Sequence, residues 1–60
     1  MEDYRLYFLD DQSHIQAVHT IQTTDDEAAR LEATRLLSSQ EKYQVAELWQ
    51  LGRRVALLHL

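Results

Sequence analysis

The chain has 60 residues, with ten acidic against six basic side chains for a net charge of −4, and it contains no cysteine and no proline. Lack of cysteine excludes disulfide staples and thiolate zinc sites, and the negative charge repels phosphate backbones and anionic lipid, so neither nucleic acid nor membrane is expected as a partner. This length supports one domain over residues 1–60, and a domain so small hides only about 60% of its unfolded surface, which makes added burial against a second subunit valuable.

The start, Met1-Glu2-Asp3-Tyr4, is acidic where a signal peptide is basic and then apolar, and no apolar run nears the roughly 20 residues that span a bilayer. A cytoplasmic location is expected. Tyr4 to Leu9 is rich in aromatic and apolar residues and runs into Asp10-Asp11-Gln12-Ser13, a cluster of turn formers, so it predicts a first strand and its turn. His14 to Thr23 then alternates, with Ile15, Ala17 and Ile21 on one parity and Gln16, Thr20 and Gln22 on the other, as a half-buried second strand does.

Thr24-Asp25-Asp26-Glu27 reads as a capping box opening a helix at about Asp25. Ala29, Ala33, Leu36 and Leu37 share one stripe with Ala28 beside it, while Leu31 lies away from that stripe and is expected to be exposed or in an interface. Asp26, Arg30, Glu32 and Arg35 are spaced for solvated pairs on the helix. After a polar connection from Ser38 to Lys42, Tyr43 to Gln50 and Arg54 to Leu60 predict a second hairpin turning at Leu51-Gly52-Arg53, with the only glycine where positive φ is useful.

The fold class is therefore α+β: a ββαββ chain with a four-stranded antiparallel sheet in order 2-1-3-4 and one helix on one face. Parity sets Leu6, Phe8, Ala46 and Leu48 against the helix, because Arg5 and Glu47 argue for the opposite face. Tyr7, Leu9, Val45 and Trp49 then lie on the open side. The last strand is apolar on both parities, so the sequence does not orient it; Val55 and Leu57 are the parity taken for the interface.

Such a face is on the order of 400 Å², and monomers seldom leave an apolar patch of that size wet. A homodimer is expected, with Tyr7, Leu9, Val45, Trp49, Val55 and Leu57 at its interface, formed by face packing or by pairing of edge strands.

No constellation points to catalysis, a cofactor or a metal. His14 and His59 fall on opposite edges of the expected sheet, about 14 Å apart at three strand spacings, and His19 has no acidic neighbour in sequence. Asp10-Asp11 and Asp25-Asp26-Glu27 suit a turn and a helix start. Ser13-His14 and Ser38-Ser39 lack a nucleophile-elbow context, and Arg53-Arg54 reads as a solvated turn pair able to touch an anionic partner.

The run Tyr4-Arg5-Leu6-Tyr7-Phe8-Leu9-Asp10, with His14-Ile15, Asp25-Asp26-Glu27-Ala28-Ala29, Ala46-Glu47-Leu48-Trp49 and Arg53-Arg54-Val55, resembles a family of short uncharacterised alphaproteobacterial ββαββ proteins classed as a domain of unknown function. The resemblance spans almost the whole chain and implies no activity, ligand or catalytic residue. A fainter similarity is to antitoxins of the HicB type, which pair an antiparallel sheet with a helix. The expected function is thus a non-enzymatic protein-interaction module, and the alternative is an antitoxin-like inhibitor of a basic nuclease.

Overall fold

Tyr4, Leu6 and Phe8 recur at the two-residue period of a strand, and all three are buried on the side that meets the helix. The computed structural model describes residues 1–60. Its elements are β1 (Glu2–Leu9), β2 (Ile15–Thr23), α1 (Asp26–Ser38), β3 (Val45–Gln50) and β4 (Arg53–His59). The sheet runs β2-β1-β3-β4 with every neighbouring pair antiparallel, so this is the α+β arrangement with the order the sequence implied.

Helix α1 lays Ala29, Ala33 and Leu37 on one face of the sheet, each no more than 1% exposed, against Tyr4, Leu6, Phe8, Ile21, Ala46 and Leu48. The two alanines let helix and sheet approach closely, and Leu36 closes the side of the stripe. Leu31 is 68% exposed, off the stripe.

The helix start differs from the capping box. Asp25, in extended backbone, is the cap: its carboxylate accepts from the Ala28 amide at 2.8 Å. The shift by one residue places Asp26 in the first turn, where it reaches β1 and β4, and leaves an alanine where the box needs an acid. Of the expected helix pairs, Glu32 and Arg35 meet at 2.6 Å, whereas Asp26 pairs with Arg53 rather than Arg30.

Strand parity breaks at two bulges. In β2 the partners step from Phe8–Ala17 to Leu9–Ile15, so Gln16 is the extra residue and Ile15 turns to the face opposite Ala17 and Ile21, where it is 60% exposed. In β4 they step from Leu48–Ala56 to Trp49–Arg54, which leaves Val55 extra and sends Ala56 and Leu58 inward. Tyr43 precedes β3 instead of opening it. Gln40 brackets it, accepting from the Tyr43 amide and donating to the carbonyls of Leu37 and Tyr43, so that its ring stacks on Phe8 at 5.9 Å and seals the end of the core.

Candidate interaction surface

Cross-strand register organises the uncovered face into three rows. Thr20, Arg5, Trp49 and Arg54 form the first, Val18, Tyr7, Glu47 and Leu57 the second, and Ile15, Leu9, Val45 and His59 the third. Glu47 therefore sits inside an apolar ring, with Tyr7 and Leu57 beside it on neighbouring strands and Val45 and Trp49 beside it on β3. Val18 and Leu57 are 52% and 45% exposed, while Tyr7, Val45 and Trp49 are half-buried.

The charge at the centre is already engaged. The Glu47 carboxylate accepts from Trp49 Nε1 at 2.9 Å and lies 3.6 Å from the Arg54 guanidinium. Both partners sit on the same face, so the three side chains form one locked group flanked by hydrocarbon. Arg5 makes no ion pair within the chain.

Two of the six residues expected at an interface offer it little surface. Leu9 is 6% exposed within the single chain, outside the helix-side cluster, and so has little surface to offer. Val55 packs against the helix-side core and borders a depression lined by Asp26, Glu27 and Arg30, because the bulge in β4 separates it from the parity of Leu57. Tyr7, Val45, Trp49 and Leu57 do share the open face, and Val18 and Ile15 join them from β2.

The turn between β3 and β4 adds a residue that parity did not mark. Gln50 pairs with Arg53, so the turn is Leu51-Gly52 alone, with φ of 51° and 77°. Positive φ at both positions is the signature of a type I′ hairpin turn, which favours Asn-Gly. Leu51 is a side chain that pays a steric penalty there, and it is 95% exposed. With Arg5, Tyr7 and Trp49 it borders a shallow cavity of about 380 Å³ on the open face.

A second polar group lies on the helix side. The buried Tyr4 hydroxyl donates to Asp26 Oδ1 at 2.6 Å, Arg53 reaches both Asp26 oxygens at 3.1 and 3.2 Å, and Arg53 also donates to Gln50 Oε1 at 2.6 Å. Gln50 in turn donates to Glu2. The Asp26 carboxyl is held below its ordinary range, first by Arg53 and then by Tyr4; the Tyr4 hydroxyl is pushed up to about 12, chiefly by that same carboxylate and then by burial. This network ties four elements together and is internally satisfied. Arg53 and Arg54 thus open a strand, point to opposite faces and are each paired, in place of the free turn pair expected from sequence.

No three His, Cys, Asp or Glu side chains converge as a metal site would need. His14 lies in the first turn, 3.9 Å from Asp10, and His59 ends the opposite edge strand. The Asp10 carboxylate is occupied by the amides of Gln12 and His14 and the side chain of Gln16, contacts that hold it below the usual carboxylate range and fasten the bulge. Ser13 takes positive φ in that turn.

Comparison with known protein families, with curated proteins and with solved structures finds no match. No helix is long and apolar enough to cross a membrane.

Proposed function

We propose that the chain is a non-catalytic, cytoplasmic interaction module that works as a homodimer, packing its open sheet face against that of a second copy. One observation carries this reading: the apolar ring of Tyr7, Val45, Trp49 and Leu57 surrounds a carboxylate already engaged by Trp49 and Arg54. Burying an unpaired carboxylate is costly, whereas one that keeps its partners on desolvation presents a much smaller penalty. The strained, exposed Leu51 beside Trp49 supports the same reading, since its conformation is repaid by no packing within its own chain.

The antitoxin-like alternative needs free acids to oppose a basic enzyme. Asp10, Asp25, Asp26, Glu32 and Glu47 are each engaged by groups of their own chain, which leaves Asp11, Glu27 and Glu41 unpaired and scattered over a turn, the helix start and a loop. Leu57→Glu tests the proposal, because it sets a second carboxylate beside Glu47 at an exposed position that leaves the helix-side core untouched. Light scattering should show association weakened by at least roughly tenfold, the equivalent of about 1.4 kcal/mol. Unaltered association would take the open face out of the interface.

A further inference from the structure

The two outer strands of the sheet are unlike. β4 opens with Arg53 and Arg54 and carries a bulge at Val55, and charges and bulges are devices that keep a sheet edge from pairing with another chain. β2 is the longest strand at nine residues, and it contains no Lys, Arg, Asp, Glu or proline. Its one bulge lies near its start, at Gln16, so the run from Ala17 to Thr23 offers an unguarded row of backbone donors and acceptors.

We propose that this edge pairs antiparallel with β2 of a second copy, joining two four-stranded sheets into one of eight. The inference rests on the reading that the chain self-associates, and it names the surface that reading leaves incomplete. Two open faces of about 400 Å² each bury about 800 Å² together, enough for a weak face dimer but short of the roughly 1,200 Å² of a standard-size interface. The β2 edge is the other surface able to supply contact.

Its sequence suits its own copy. Pairing about His19, the midpoint of the strand, sets Ala17 against Ile21 on the helix side and Val18 against Thr20 on the open side, with no like charges opposed. Both helices then lie on one side and both open faces on the other, so face packing continues undisturbed. Edge and face together give four chains related by perpendicular two-fold axes, a common closed symmetry. The groove of about 630 Å³ between α1 and β2, bordered by His19, Ile21, Leu31 and Leu36, opens along this edge, and pairing extends its floor beneath the exposed Leu31.

Hydrogen exchange of the full chain, read amide by amide over a concentration series with sedimentation in parallel, tests the proposal. Alternate β2 amides, those directed away from β1, should gain roughly tenfold or more protection as the assembly forms, because an amide enters exchange only when its hydrogen bond opens. His19→Lys, which sets two ammonium groups near the two-fold axis on the side away from the open face, should stop assembly at two chains and leave those amides fast. Assembly of the unaltered chain with fast β2 amides would overturn the edge inference and spare the face. A single-chain species at every concentration would overturn the underlying reading as well.

Discussion

Tyr4 shows how much a single hydroxyl can organise. Its ring sits fully buried among Leu6, Ile21 and Ala29 while its oxygen holds Asp26, and through Asp26 it is joined to Arg53. A tyrosine in the unfolded chain ionises near 10, whereas Tyr4 in the fold keeps its proton to about 12. The unfolded state therefore gains on the fold across that interval, and the melting temperature should fall as pH rises through it. Asp26 and Asp10 act at the other end. Their folded carboxyls ionise below the unfolded range, so the stability they lend is present above that range and lost as pH falls through it. Melting curves followed by circular dichroism against pH check both slopes, and Tyr4→Phe should flatten the alkaline one while lowering the neutral melting temperature by a few degrees. Tyr4 shares the strand parity of Leu6 and Phe8; nothing in the sequence joins position 4 to positions 26 and 53, because that contact exists only once three elements meet. Leu51 is the converse case. Leu51→Asn should stabilise the isolated subunit by about 1 kcal/mol, as the cost of a left-handed leucine is relieved, and should weaken association. Urea unfolding and light scattering on the same variant would reveal the trade.

At the scale of elements, the ladder was readable wherever a charged residue broke a symmetric choice. Arg5 on β1 and Glu47 on β3 fixed which parity faces α1, and Leu6, Phe8, Ala46 and Leu48 are all buried accordingly. The bulges were not readable, since one inserted residue inverts every facing beyond it without altering the apparent alternation. Ile15 and Val55 are misplaced by parity for that reason, and β4, apolar on both sides, gave no charge to correct it. The helix cap was off by one for a different reason: Thr24 and Asp25 are both good caps, and the decision falls to Asp26, whose contacts with Tyr4 and Arg53 hold the helix in the later register. Asp25→Ala should therefore cost about 1 kcal/mol in urea unfolding while Thr24→Ala changes little. Equal losses would restore the capping box.

The whole molecule exposes 4231 Å², close to the roughly 4,100 Å² expected of a folded monomer of 7.1 kDa. The subunit is thus closed by its own helix as far as area goes, so the proposed association rests on what the surface is made of, not on an excess of it. Fold and assembly are separable on this account, so Leu57→Glu should keep its secondary structure while its association weakens. The sequence made the open face legible by leaving one helix for a sheet with apolar residues on both sides. It did not show that Glu47, the apparent obstacle to covering that face, is engaged by Trp49 and Arg54, because that depends on side chains two residues apart on β3 and across to β4. Sedimentation equilibrium of the unaltered chain across the micromolar range is the most direct measurement. The account predicts an average mass that climbs with concentration to a multiple of 7.1 kDa; a value that stays at the mass of one chain throughout would contradict it.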